Sequence, residues 1–420
     1  MASADNAGRP RSLAGAEWLE RPSARAVFEA LVAEGAEARA VGGAVRNALM
    51  HAPVKDVDIA TTALPADVMR LATQAGLHAV PTGIEHGTVT IVAKHQPFEV
   101  TTLRRDIETF GRHARVTFTT DWTEDARRRD FTMNALYCGP DGTVHDPIDG
   151  YGDLVARRVR FIGDARERIR EDYLRILRFF RFLAVYGDAA APDRAGLEAA
   201  IAEKAGLSGL SGERIRAELL LLLAAPGALE AVRTMSRAGL IEPLIGVPGN
   251  VELLGRLIAI EQALGRAPDP LLRLAALADG MGSTALQTRL RLSAAETQRL
   301  THASAHDRAF DPQSGEDAAR ASLYRNGPQT FTDGALLDWA RSGEAPASGP
   351  RALRVRLPER WQAPELPVRG ADVLALGVKP GPDVGRVIAA FETWWIAAGF
   401  PADQAALTVK LEELAAQPPP

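Results

Sequence analysis

The sequence predicts an α+β chain, with a small mixed sheet in its first part and helices throughout the remainder. Two observations carry that expectation. Segments 57–61, 78–81, 88–92 and 98–103 are short, rich in β-branched residues and bounded by Gly, Pro and polar turns. After Asp164 the texture becomes Ala-, Leu- and Arg-rich, and Leu174, Leu177, Phe180 and Ala184 recur at helical spacing. Scale adds a third: at one domain per ~150 residues, 420 residues suggest roughly three units.

Taken in order, residues 1–24 read as disordered or irregular, and the strand segments follow up to about Gly152. Between residues 104 and 121 a polar, glycine-containing stretch reads as a mobile loop. Helical texture then runs to about residue 310, residues 343–350 read as a linker, and a last small helical unit precedes a frayed Pro-rich end. No fixed-period repeat appears.

Composition removes several function classes. With 46% apolar and 24% charged residues, wholesale disorder, collagen-like repeats and coiled coil are excluded. The longest apolar run, residues 219–225, falls far short of the ~20 residues of a membrane span, and the N-terminus has no apolar signal core. The expectation is a cytoplasmic protein with no membrane partner. Its single cysteine, Cys138, excludes internal disulfides and multi-cysteine metal sites. The net charge of −4 does not announce a nucleic-acid binder, yet residues 151–181 hold nine arginines against five acids. Solvated helix faces are the plainest account of that surplus.

Residues 40–65 carry the most chemistry. Along a strand, Asp56 and Asp58 project from one face while Val57 and Ile59 turn into the core. Adjacent carboxylates repel, and shared divalent cations relieve the repulsion; hard oxygen donors of this kind suit Mg²⁺. Upstream, Gly42 and Gly43 precede a helical run, 45–50, so amides there are placed to cradle a polyphosphate, with Arg46 adding charge. Each signal alone fits an ordinary turn or a solvated strand end. A Rossmann reading fails for want of the third glycine, and a P-loop for want of GKS or GKT. In combination, a phosphate cradle followed by an acidic pair is what two-metal nucleotidyl transfer requires. Glu99, alternating with Phe98 and Val100 on a nearby strand, is the candidate third carboxylate; a surface-facing glutamate is the alternative.

At this point the chain resembles the class II tRNA nucleotidyltransferase family, which contains CCA-adding enzymes and bacterial poly(A) polymerases. The matching motifs occur in order: GlyGly-x-ValArg with Asp56-Val-Asp58; ArgArgAspPheThrMetAsnAlaLeu at 128–136; Asp146-Pro-x-Asp149-Gly with Gly152-Asp153-Leu154; and Glu171-Asp172-x-x-Arg175. The likeness extends through 210–215 and, weakly, into 377–385. One departure is Asn47, where the family usually has aspartate.

The resemblance implies a polymerase-β-like nucleotidyltransferase head at 25–155, then an all-α neck at 156–220, body at 221–342 and tRNA-binding tail at 351–415. It implies catalysis and metal binding by Asp56 and Asp58, with Glu99 as the added carboxylate, two Mg²⁺ ions, and CTP and ATP as substrates. Asp130 and Asn134, i and i+4 on one expected helical face, and Arg129 are implied ribose and phosphate contacts. The family uses the positions of Asp172 and Arg175 to read the base, although their i, i+3 spacing by itself suits an intrahelical ion pair. An aspartate acceptor beside an arginine donor matches cytosine or adenine and mispairs uracil or guanine. Arg178 and Arg181 are candidates for tRNA contact, and the 104–121 loop would help switch from C to A addition.

The stretch Gly83-x-x-His86-Gly87-Thr resembles the CCA-adding form, so the expected activity is template-independent CCA addition to tRNA, with poly(A) tailing as the alternative. Two further readings are a non-catalytic RNA-binding homologue and a phosphohydrolase built on His302, His306 and Asp307. The 377–385 segment would either meet a phosphate or simply join helices.

Overall fold

The computed structural model describes residues 12–110, 113–305, 307–346 and 349–416, in two compact units, Met1–Pro248 and Gly249–Pro420. The expected irregular segment 1–24 is corrected where it is described. Helix α1 (Glu17–Glu20) and the start of α2 (Pro22–Val32) occupy it, and Trp18 and Leu19 are buried. Pro22 starts α2 at a position that needs no N–H donor.

Seven strands form the sheet of the first unit: β1 (Ala38–Val41), β2 (Asp58–Thr61), β3 (His78–Gly83), β4 (Thr88–Ala93), β5 (Gln96–Thr102), and the short β8 (Tyr137–Cys138) and β9 (Val144–His145). Their spatial order is β3-β4-β5-β2-β1-β8-β9, and only the β2–β5 pair is parallel. The sheet is therefore mixed, as the sequence predicts. Helices α3 (Gly43–Leu49) and α4 (Pro65–Gln74) follow β1 and β2.

Over its described residues 104–110 and 113–118, the expected loop is strand instead. It forms a separate antiparallel hairpin of β6 (Arg104–Phe110) and β7 (His113–Phe118). The β-branched Val116 and Thr117 supply strand propensity that the surrounding charges and glycine conceal. Its root is anchored: Thr119 N–H donates to the Leu103 carbonyl (2.9 Å), and the Arg104 guanidinium donates to the His86 carbonyl. Gly87 has φ +84°, and a Cβ there would fall 2.7 Å from the Phe118 ring.

After α5 (Trp122–Arg127) come α6 (Gly150–Val155), α7 (Ala165–Glu171), α8 (Leu174–Tyr186), α9 (Arg194–Ala202), α10 (Gly212–Ala224), α11 (Ala228–Arg237) and α12 (Ile241–Ile245). Leu174, Leu177, Phe180 and Ala184 of α8 are all buried, as their spacing requires. An aromatic cluster of Phe131, Phe161, Phe179 and Phe182, with centroids 4.9–6.4 Å apart, packs α8 against the strand-rich part. The unit boundary falls inside the segment expected as one body, 221–342. The reason is local: Gly227 N–H donates to the Ala184 carbonyl (2.9 Å), so α10 and α11 close onto α8 and belong to the first unit.

The second unit is helical throughout its described residues. It runs α13 (Val251–Ala263), α14 (Pro270–Leu277), α15 (Ser283–Leu290), α16 (Ala294–Ser304), α17 (Gly315–Ser342), α18 (Pro350–Val355), α19 (Leu357–Arg360), α20 (Gly370–Ala375), α21 (Pro382–Ala397) and α22 (Gln404–Ala415). Helix α17 is broken at Gly327 (φ 77°), before Pro328. Val373, Val387, Phe391, Trp395 and Leu407 form part of a compact core among the last three helices. The 377–385 segment spans the α20–α21 junction, with Gly377 and Gly381 at positive φ. Among the described residues no helix is long and apolar enough to cross a membrane. The terminal Pro-rich segment lies outside the described residues.

Candidate active site

Strand register assembles the acids and the glycine turn. Val41 at the end of β1 pairs with Asp58 at the start of β2, so the Gly42–Gly43 turn begins beside the aspartate. Gly42 adopts φ +66°, ψ −116°, a conformation that favours glycine, and it opens α3. Parallel pairing of Ile59 with Val100 sets Glu99 on the neighbouring strand at the level of Asp58. Asp56 lies one residue ahead of the buried Val57 and is exposed, as are Asp58 and Glu99. It precedes β2 rather than lying within it. The surrounding protein desolvates the Asp58 carboxyl, although its outer surface is open to water. That desolvation, joined by the charges of Glu99 and Asp56, raises its pKa; Arg129 opposes the rise.

A cleft of about 460 Å³ opens over this corner, lined by residues that include Gly42, Gly43, Asp58, Arg129, Asp130, Asn134, Asp172, Arg175 and Arg178. Asp56, Glu99 and Arg181 are not among its lining. The expected helix joining Asp130 and Asn134 is corrected to a short 3₁₀ turn over Thr132–Asn134, with Asp130 outside it. The two side chains still meet, because Asn134 Nδ2 donates to Asp130 Oδ1 (2.9 Å). Asp130 also accepts from the Phe131 N–H (2.8 Å) and from Arg178 Nη2 (2.6 Å). Burial would raise its pKa, but Arg178 and these donors outweigh burial and hold it low.

Arg46 is largely buried yet lines the cleft directly, and it also holds a neighbour in place. It donates to Asn134 Oδ1, to Asn47 Oδ1 (3.0 Å from Nη2) and to the Tyr186 hydroxyl (2.7 Å), and it stacks 3.9 Å from the Tyr186 ring centre. Asn47, the departure from the motif, also donates from Nδ2 to the Pro53 carbonyl (3.0 Å), a bond that an aspartate could not make.

The opposite wall differs from the expected helical pair. Asp172 ends α7 in extended conformation and α8 begins at Leu174, so Asp172 and Arg175 do not share a helix. Asp172 Oδ2 accepts from Arg214 Nη2 (2.7 Å), while Oδ1 accepts from the Leu174 N–H (3.2 Å). Arg175 donates to the Arg168 carbonyl (2.7 Å) and pairs with Glu171. Arg178 and Arg181 both pair with Glu218 of α10, at 3.4 and 2.6 Å. Much of the arginine surplus over 151–181 is thus matched locally: Arg158 and Arg160 pair with Asp153, and Arg166 and Arg170 with Glu203.

The third motif is a buttress. Asp146 accepts from the N–H groups of Gly150 and Tyr151 (2.8 Å each), and buried Asp153 accepts from the Thr132 hydroxyl (2.7 Å). A Cβ on Gly150 would fall 2.2 Å from the Thr132 carbonyl oxygen, so only glycine lets α6 seat against the turn that carries Asn134.

Among the described residues no group of three or more His, Cys, Asp or Glu side chains is gathered so as to hold a metal ion by itself. The donor set fits a cation completed by substrate instead, since Mg²⁺ typically takes one or two carboxylates plus phosphate oxygens. A cation there would relieve the crowding of negative charge that, with desolvation, raises the Asp58 carboxyl. The phosphohydrolase reading gains no support. His302 is exposed on α16, and Asp307 accepts from Ala309 N–H (2.9 Å) and Ser322 Oγ (2.7 Å) as a cap. His306 lies outside the described residues.

Residues 38–160 match the Poly A polymerase head domain family. Over 386 residues the chain is 34% identical to mitochondrial CCA tRNA nucleotidyltransferase 1 of Mus musculus, covering 90% of this chain and 86% of that one. It belongs to the class II tRNA nucleotidyltransferase family. A CCA-adding enzyme of Limosilactobacillus fermentum is 32% identical over 87% of this chain and 90% of its own. The crystal structure of the Bacillus stearothermophilus CCA-adding enzyme in complex with CTP superposes with a TM-score of 0.76 at 29% identity, covering 93% and 96% of the two chains. In this nucleotidyltransferase, sequence reasoning missed Arg214, Phe182 and Leu174 of the cleft wall. For Arg214 the one available signal was its place in the 210–215 motif.

Proposed function

We propose that this enzyme adds C, C and then A to the 3′ end of tRNA, using CTP and ATP and releasing pyrophosphate. The carrying observation is convergence: Asp58 of the acid corner, the Gly42–Gly43 turn, the Asp130–Asn134 pair and the Asp172–Arg175 wall face one cleft. Its volume lies within the roughly 300–1,000 Å³ of small-ligand sites. Identity to CCA-adding relatives over most of both chains supports the same reading.

In this reading Asp56 and Asp58 hold Mg²⁺, two ions in all, with Glu99 supplying a further oxygen. When bound, the metal supplies activation of the RNA 3′-hydroxyl and neutralisation of charge on the departing pyrophosphate. The Gly42–Gly43 turn and Arg129 receive the triphosphate, and Asp130 with Asn134 receives the ribose hydroxyls, oriented by Arg46. Asp172 accepts from the exocyclic amine of cytosine or adenine while Arg175 donates to the ring nitrogen, so uracil and guanine leave polar groups mispaired. For that to happen, Arg175 turns from the Arg168 carbonyl toward the base. The incoming RNA end is assigned to Arg178, which borders the cleft, and to Arg181, which shares its Glu218 partner. The helical segments from 156, 221 and 351 serve as neck, body and tRNA-binding tail. The proposed compartment is the cytoplasm, where a chain with one free, buried cysteine needs no disulfide.

The decisive experiment offers the purified protein tRNA lacking its CCA end, with CTP and ATP, and sequences the products. Addition of CCA and then arrest is expected. Unlimited A-tailing without C incorporation would establish the poly(A) alternative, and binding without incorporation would establish an RNA-binding role.

A further inference from the structure

Asp125 of α5 is fully buried and is not part of the cleft surface, yet five donors converge on it. Oδ2 accepts from the Tyr137 hydroxyl (2.8 Å) and from Arg129 Nη2 (2.9 Å) and Nε (3.2 Å). Oδ1 accepts from Arg128 Nε (2.8 Å) and from the Arg104 N–H at the root of the β6–β7 hairpin (3.4 Å). The Tyr137 hydroxyl in turn accepts from Arg129 Nε (3.2 Å). Carboxylate and phenol therefore grip one edge of the Arg129 guanidinium, Nε and Nη2. The remaining nitrogen, Nη1, lies 3.8 Å from where a Cβ of Gly42 would stand, at the turn beside Asp58.

A buried carboxylate is not what a stable core requires, because well-packed apolar residues often replace a buried ion pair without loss. What this one accomplishes is orientation. A guanidinium is a planar fork, so fixing one edge in two bonds fixes the direction of the other. Burial would raise the Asp125 pKa, but Arg129, Arg128 and the Tyr137 hydroxyl overcome that and hold it at about 2, so the grip persists through the working pH range.

We propose that Asp125 is a positioning residue that acts through Arg129, aiming its Nη1 edge at the triphosphate held over the Gly42 turn. The inference rests on the nucleotidyl-transfer reading and deepens it, since it assigns a side chain outside the cleft to triphosphate binding.

The test is a double-mutant cycle in the full chain: Asp125→Asn, Arg129→Ala and the pair, with equilibrium Kd for CTP and for ATP. Melting temperature and tRNA Kd are followed in parallel. Asp125→Asn is expected to weaken CTP and ATP by the same factor, about tenfold for one charge-assisted bond misdirected, with tRNA affinity unchanged. On the Arg129→Ala background it should have less than about a twofold effect, because nothing remains to be aimed. A folded Asp125→Asn protein with wild-type nucleotide affinity would overturn the proposal. So would an equal loss on both backgrounds, the mark of a merely structural role. If Asp125→Asn does not fold, Tyr137→Phe removes the shared hydroxyl and keeps the charge. Its smaller loss for both nucleotides should likewise vanish on the Arg129→Ala background, and persistence there refutes the role. Failure of the wild-type protein to add CCA would sink the functional reading, whereas an additive cycle in a CCA-adding enzyme would sink only the role of Asp125.

Discussion

Asp172→Asn exchanges one acceptor oxygen at the cleft wall for an amino donor. Both oxygens of Asp172 are engaged, Oδ2 with Arg214 at 2.7 Å and Oδ1 with the Leu174 N–H at 3.2 Å. Asparagine has one acceptor oxygen, and the shorter, charge-assisted bond to Arg214 retains it. The new NH₂ then sits where an acceptor stood. An incoming cytosine amine meets a donor, mispaired at about 1–3 kcal/mol, while the uracil carbonyl gains a partner at about 1 kcal/mol. The CTP-over-UTP preference should therefore fall by about 2–4 kcal/mol, or roughly 30- to 1,000-fold in the ratio of kcat/KM. Single-nucleotide incorporation into tRNA lacking CCA, with labelled CTP and UTP, measures this directly. A folded variant with an unchanged ratio would refute base reading by Asp172.

Three other perturbations have definite outcomes. Asp58→Asn should abolish incorporation yet raise the melting temperature at neutral pH. The raised folded pKa destabilises the ionised form, the penalty sets in as pH rises from the ordinary carboxylate range through that raised value, and the gain should vanish below the ordinary carboxylate range; a melting temperature lowered at neutral pH contradicts this. Gly150→Ala should cost about 1–3 kcal/mol of stability and lower kcat/KM, because its Cβ would stand 2.2 Å from the Thr132 carbonyl beneath Asn134. Thermal melts and steady-state kinetics read both. Arg273→Met should cost about 3–5 kcal/mol by stranding Glu261, its partner at 2.7 Å, which is only 2% exposed. Adding Glu261→Leu should restore most of that loss in denaturant titrations, and a further loss would show that the pair is not the cause.

Period and residue type made the sheet and helices legible in advance. The four expected strands correspond to β2, β3, β4 and β5 within a few residues, because alternation along a strand is a local property. The hairpin at 104–118 is hard to read in advance, since its sequence is polar and charged with no sustained apolar alternation. The helical pairing expected for Asp130 with Asn134, and for Asp172 with Arg175, followed from spacing alone. Neither pair shares a helix: Asn134 still donates to Asp130, whereas Asp172 and Arg175 take separate partners in Arg214 and Glu171.

The chemistry needed at the site, two acids beside a glycine turn and an aspartate near an arginine, was written in local sequence. Who holds whom was not. Arg46 meets Tyr186 across 140 positions, and Asp172 meets Arg214 across 42. Such partners are chosen when the aromatic cluster around Phe131 docks α8 against the sheet-bearing part, a packing event between distant segments that no period or spacing encodes.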